Sequence, residues 1–298
     1  MSDKPKAIVI VGPTASGKTS LAIRLAKRFG GEVVSADSRL IYKGMDIGTA
    51  KPTRSEMAGI PHHLIDLVSP ARILTTAEWK RKALRAIRGI LKRGRLPVIV
   101  GGTGLYVRAL VDNLDIPQVP PDLRFRATLR NWPTGQICDA LKKKDPAYAA
   151  RIGPNPRYAI RALEVMRATG KTMTEMQRQG EPLFDFLRIG LRASKPELEA
   201  RISKRVKGMI RLGLLKEVKT LVKRHDWNLP AMSGIGYREI GRHLRGEITL
   251  KDALREIVTH TRQYAKRQMT WFKKDKKIRW FRGKMRLNAT IKKWLISA

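Results

Sequence analysis

The sequence contains a single cysteine, Cys138, in 298 residues. An internal disulfide is thereby excluded, and a reducing, cytoplasmic setting is expected. Acidic residues are also scarce. There are 25 Asp and Glu against 62 Lys and Arg, a formal charge of +37. A field of that sign and size excludes an acid-coated surface and favours polyanions, nucleic acid above all. No apolar stretch is long enough to cross a bilayer, so no membrane partner is expected. The apolar run at residues 7–11 is too short for a signal segment. Internal repeats and low-complexity tracts are missing too. Core material is plentiful: 42% of residues are hydrophobic, enough for one large domain or two modest ones.

The stretch VGPTASGKTS (11–20) carries the chemistry. Gly12, Gly17, Lys18 and Thr19 satisfy G-x-x-x-x-G-K-[ST] at every fixed position. The run AIVIV before it reads as a buried parallel strand. After it, Leu21, Leu25 and Phe29 have helical spacing. A strand, a glycine-rich turn and a helix start together make a phosphate cradle. Its walls are Gly12, Pro13, Thr14, Ala15, Ser16, Gly17, Lys18 and Thr19. Backbone N–H groups of 14–19 face the anion, Lys18 neutralises it, and the Thr19 hydroxyl is placed for Mg²⁺.

Further buried strands are expected at 32–36, 62–67, 96–100 and 186–193, with an amphipathic helix at 77–93. This alternation predicts an α/β fold with a parallel sheet flanked by helices. After a proline-punctuated crossing at 114–121 only helical signals follow, at 122–131, 136–144 and 155–168. Residues 117–181 are therefore read as an all-helical insertion in a core made of 1–116 and 182–298. Met166, Met173 and Met176 are expected to pack inside it. Helices are also predicted at 195–212, 214–224 and 249–272. From Arg262 onward there are thirteen Lys and Arg and one acid, Asp275, with Trp271, Phe272, Trp280, Phe281 and Trp294 among them. The imbalance points to contact with a phosphate backbone. His62 and His63 are adjacent in an expected strand. They point to opposite faces and are read as structural.

Nucleotide-using P-loop proteins place an Asp at the end of a second strand to help hold Mg²⁺. The best candidate here, LPVIVGGTG (96–104), ends in glycine and threonine. The carboxylate stands instead at the end of the other strand, as Asp37 in SADSRLIY. This placement suits a base for a second substrate, and a cradle that holds a diphosphate leaving group. A small-molecule P-loop kinase and a non-catalytic RNA-binding protein remain open on these residues alone.

The segments GPTASGKT, SADSRLIYKGMDIGTAKPT (35–53), HHLID (62–66), GGTGLY (101–106), RALEV (161–165) and RQYAKRQMTW (262–271) resemble, in order, the tRNA dimethylallyltransferase (isopentenyltransferase) family. The resemblance covers nearly the whole chain. It implies a P-loop-kinase-like core and transfer of a dimethylallyl group from dimethylallyl diphosphate. The acceptor would be the exocyclic amine of an adenosine beside the anticodon. Asp37 would take the amine proton, with Thr103, Thr19 and Lys18 also catalytic. Arg205 would join the cradle on the diphosphate, Arg201 being the alternative one turn earlier, and Thr19 would hold Mg²⁺. The tRNA anticodon stem-loop would meet Asp37, Ser38, Arg39, Leu40 and Thr103. In the insertion it would meet Arg124, Arg157 and Arg161. In SGIGYR it would meet Ser233, Gly234, Ile235, Gly236, Tyr237 and Arg238. A monomer is expected.

Overall fold

The computed structural model describes residues 4–176, 179–282 and 287–297. The chain divides into two compact units, one of Met1–Leu110 with Leu183–Ala298 and one of Val111–Pro182.

The first unit is a six-stranded sheet. Its strands are β1 (Lys6–Val11), β2 (Gly31–Ser35), β3 (His62–His63), β4 (Leu96–Val100), β5 (Asp185–Arg192) and β6 (Arg279–Arg282). They lie in the order β3-β2-β4-β1-β5-β6, and all pairs are parallel. Parallel strands covered on both faces are apolar throughout, and β1 is buried at Ala7, Ile8, Val9, Ile10 and Val11 alike. On one face the helix Lys18–Phe29 sets Leu21, Ala22 and Leu25 against Ile8, Ile10, Val98 and Ile189. The helix Thr76–Lys92 packs on β2 and β4 and buries Trp79, Ala83, Ile87 and Ile90 at helical spacing. Its start is fixed by a capping box between Thr75 and Glu78.

One expectation needs correction, and one segment does more than was expected of it. The strand expected at 62–67 spans only His62–His63, because Leu64 and Asp66 adopt positive φ of 65° and 52° and turn the chain away. The basic tail, read as an RNA-contacting surface, contributes an edge strand. β6 pairs with β5, and Phe281, Leu287, Ile291 and Trp294 join the sheet's core. The tail's single acid, Asp275, takes up Arg188 of β5 at 2.7 Å. Cations of this segment such as Arg279 and Arg282 are exposed. Polar alternation in a strand looks like a charged run when its apolar partners are not yet known.

The second unit is helical, with Leu123–Thr128, Thr134–Lys144, Pro146–Ile152, Pro156–Thr169 and Met173–Met176. Ile137, Leu141, Tyr148, Leu163, Val165 and Met173 form its core, with Met166 and Met176 packed against it. Glu164 is fully buried there between Arg126 at 2.5 Å and Arg161 at 3.1 Å.

Candidate active site

The cradle lies at the C-terminal edge of the sheet, where open parallel sheets place ligands. Gly12 leaves β1 at φ 147°, and a Cβ there would stand 2.8 Å from the Leu191 carbonyl oxygen. Gly17 caps the helix at φ 87°. The first amides of that helix have no acceptor within it, so they are available to an anion. Ser16 Oγ is buried without a hydrogen-bond partner, an unmet polar group in the cradle wall. Lys18 folds back and donates to the Pro13 carbonyl at 2.7 Å. Burial pushes its pKa down from 10.5 to about 7, with Asp37 opposing and Arg205 reinforcing the shift. Arg205, on the helix Lys195–Arg211, donates to Thr14 Oγ1 at 3.3 Å. Arg205 and Arg201, one turn earlier, are both solvent-exposed, and it is the contact with Thr14 that brings Arg205 to the cradle.

The acceptor side is built from the ends of β2 and β4. Arg39 N–H donates to Asp37 Oδ1 at 2.8 Å, which fixes that carboxylate by a local turn. Thr103 Oγ1 accepts from Ser38 N–H at 2.9 Å and donates to Ser38 Oγ at 3.2 Å. The Thr103 hydroxyl thereby anchors the Asp37–Ser38 segment. β4 is the strand beside β1, and it ends in GGTG with no carboxylate. Each of three glycines there admits a close neighbour. A Cβ would meet the Ala36 carbonyl at Gly101 (2.0 Å), Gln268 at Gly102 (2.1 Å) and the Trp271 ring at Gly104 (2.2 Å). Tyr106 stacks on Trp79 at 4.3 Å, and burial raises its pKa. Tyr264 is pushed up to about 12, first by burial and then by Asp37. Both phenols are neutral donors at physiological pH.

SGIGYR separates into two sets. Tyr237, expected at the RNA, has its ring 1% exposed and donates its hydroxyl to Glu217 at 2.6 Å. Its side chain is therefore part of the scaffold. Gly234 and Gly236 are buried too, and Ser233, Ile235 and Arg238 reach the surface. Arg238 also pairs with Glu239 at 2.6 Å. The Glu217 carboxylate accepts three more bonds, from the N–H groups of Asp46, Ile47 and Gly48 at 2.8–3.1 Å. It holds the GMDIGT loop in place. Glu217→Ala should therefore cost about 2–4 kcal/mol in urea unfolding, since it strands these donors. A loss under 1 kcal/mol would show that the loop is held otherwise.

In the insertion, Arg124 and Arg157 are exposed. Arg161 is committed to Glu164 and to the Val119 carbonyl at 2.5 Å, so it braces the unit's own fold. Leu40, Arg39 and Ser38 are half-buried. Arg39 donates to the Pro230 carbonyl at 3.0 Å and leans toward SGIGYR. His62 Nδ1 is bonded to the Ile60 carbonyl oxygen and His63 Nε2 to Glu32, in keeping with structural roles. Among the described residues no group of three or more His, Cys, Asp or Glu could hold a metal, and no helix is long and apolar enough to cross a membrane.

Three residues of this neighbourhood were not singled out from sequence: Gln268 as a polar group, Tyr264 and Glu217. Gln268 stood on the apolar face of its helix, and a polar residue in an apolar stripe was the available signal.

The family model described as IPP transferase matches residues 40–275. A tRNA dimethylallyltransferase of Pelotomaculum thermopropionicum is 43% identical over 286 residues, covering 94% of this chain and 91% of its own. One from Roseiflexus is 47% identical over 273 residues, with 90% of each chain covered. Among solved structures, the tRNA isopentenylpyrophosphate transferase of Bacillus halodurans has a TM-score of 0.72 at 39% identity, covering 98% of this chain and 94% of that one. A eukaryotic dimethylallyltransferase, captured acting on tRNA, has a TM-score of 0.79 at 30% identity, covering 99% and 76%.

Proposed function

The chain belongs to the IPP transferase family, and from that premise we propose that it moves a dimethylallyl group from dimethylallyl diphosphate to tRNA. The acceptor is the N6 amine of the adenosine 3′ to the anticodon. The observation that carries this reading is the pairing of a phosphate cradle with an acceptor side on which the adjacent β4 ends without a carboxylate and Asp37 follows the next strand, β2.

The exocyclic amine of adenine is a poor nucleophile, and its base must leave the stack to be reached. In the reaction the amine nitrogen bonds to the prenyl C1 as the C1–O bond breaks. The bonding pair leaves on diphosphate, and the amine proton passes to Asp37. Lys18, Arg205 and the amides at the start of the helix Lys18–Phe29 stabilise the charge that builds on the leaving group. The cradle suits a diphosphate with Mg²⁺. The Thr19 hydroxyl, half-buried, would supply one hard oxygen ligand, in keeping with the few protein ligands that Mg²⁺ takes at phosphate sites. When bound, the ion lowers the charge of the departing diphosphate.

On the RNA, Ser38, Arg39, Leu40, Ser233, Ile235 and Arg238 are the groups of the first unit proposed to meet the anticodon stem-loop. Arg124 and Arg157 are proposed for the insertion. The enzyme is placed in the cytoplasm with its tRNA. A monomer is the form proposed to act.

Incubation with tRNA, dimethylallyl diphosphate and Mg²⁺ should yield isopentenyladenosine on nucleoside analysis. The reading fails if a tRNA with adenosine in that position is left unmodified, or if the protein consumes ATP with a small acceptor instead. Because many phosphates are neutralised, tRNA affinity should fall by orders of magnitude between 50 and 200 mM salt, on the order of 10³-fold for about six contacts.

A further inference from the structure

The geometry assigns Gln268 as a positioning residue that joins the diphosphate cradle to the acceptor-side turn. This inference rests on the prenyl-transfer reading above. Gln268 lies on the helix Leu250–Phe272 and is 4% exposed. Its Oε1 accepts from the Thr14 N–H at 2.7 Å. Its Nε2 donates to the Gly102 carbonyl at 3.0 Å. One side-chain amide thus spans the loop that holds the leaving group and the turn that carries Thr103. Thr103 in turn holds Ser38, next to Asp37. Gly102 has no Cβ, which is what admits the amide: a Cβ would sit 2.1 Å from Nε2.

Two consequences follow. The Thr14 amide, counted from sequence among the cradle's free donors, is already satisfied, and it is the Thr14 hydroxyl that meets Arg205. The second consequence concerns the side chain itself. Only a group with both a donor and an acceptor serves both partners. Glutamate keeps the Thr14 bond but loses the donor to Gly102 and adds a negative charge beside a diphosphate. Methionine keeps the volume and loses both bonds.

The separation between a leaving diphosphate and an attacking amine sets the rate of a displacement, and small misplacements are costly. Gln268 therefore acts on the donor and on turnover more than on RNA affinity. The test is steady-state prenyl transfer by Gln268→Met and Gln268→Glu, with tRNA affinity by filter binding and folding by thermal unfolding. Gln268→Met should lower kcat/KM for dimethylallyl diphosphate about ten- to hundredfold. Its tRNA Kd should stay within about threefold of the parent. Gln268→Glu should lose at least as much and show the larger rise in KM for the diphosphate, through charge repulsion. Should Gln268→Met not fold, Gln268→Glu carries the test by that rise in KM.

Parental kinetics in Gln268→Met, or in a folded Gln268→Glu, would overturn the assignment and leave the residue as packing. So would a loss confined to tRNA affinity. Failure of the parent enzyme to prenylate tRNA would instead sink the underlying reading, so the two failures are told apart by the parent's own activity.

Discussion

Asp37→Asn should lower turnover by on the order of 10²–10⁴, the range that a general base contributes. Asparagine is the informative replacement, because Asp37 Oδ1 also accepts from the Arg39 N–H at 2.8 Å. An asparagine carbonyl oxygen preserves that turn, so the loop holding Ser38 and Arg39 keeps its shape. The loss then reports the missing base. Asp37 has a second electrostatic role, since its charge favours the protonated form of Lys18. Its removal lets the ammonium titrate lower still and weakens diphosphate binding. The two effects separate kinetically. The base effect persists in kcat at saturating dimethylallyl diphosphate, and the cradle effect appears in KM. Single-turnover prenylation at saturating donor is the deciding measurement. tRNA affinity should change no more than a few-fold. A variant within tenfold of the parent would remove Asp37 from the base role.

Lys18→Met should abolish most prenyl transfer yet stabilise the ligand-free protein near neutral pH. Loss of one electrostatic stabiliser of a leaving group costs about 10²–10³-fold in rate. The stability effect has the opposite sign. Burial holds the Lys18 pKa at about 7 in the folded chain, against 10.5 for an ordinary lysine. Between those values the unfolded chain binds a proton that the native protein lacks, so native stability rises with pH across this window. Below about pH 7 the buried ammonium is charged and its full penalty applies. Methionine fills much the same space with no charge to bury. The variant should therefore melt higher than the parent at pH 6, and its advantage should shrink through the window and vanish above it. Diphosphate should reverse the order by stabilising only the parent, whose ammonium it restores. Equal melting temperatures at pH 6 and pH 10 would show that Lys18 carries no burial penalty.

The strongest local patterns led to correct structure. AIVIV followed by the full P-loop spacing leaves little freedom. The run can be buried on both faces only as an inner parallel strand, and β1 is the inner strand between β4 and β5. The helix Thr76–Lys92 was equally plain, since its apolar positions recur at helical spacing. β3 fell short because nothing in HHLIDL announces that Leu64 and Asp66 turn to positive φ. β6 was missed because RWFR alternates charge and aromatic. That pattern suits a surface run as well as an edge strand, and only the neighbouring β5 decides between them. Tyr237 is expected at the RNA only because the family resemblance implies it, since two glycines between helices read as a plain turn. Its hydroxyl is used instead by Glu217, twenty residues earlier in the chain.

By itself, the sequence determined the parallel α/β class, the phosphate cradle and the family, because each depends on short-range spacing or on motifs in order. It also supplied Asp37 and the carboxylate-free β4, as residues at strand ends. Tertiary structure alone decided which arginine reaches the cradle, which part of SGIGYR is open, and that Gln268 joins Thr14 to Gly102 across 254 and 166 residues of chain. The physical reason is that a hydrogen bond is specified by direction and by distances of about 3 Å, and no pattern along the chain encodes which distant groups the packing of a helix on a sheet will bring that close.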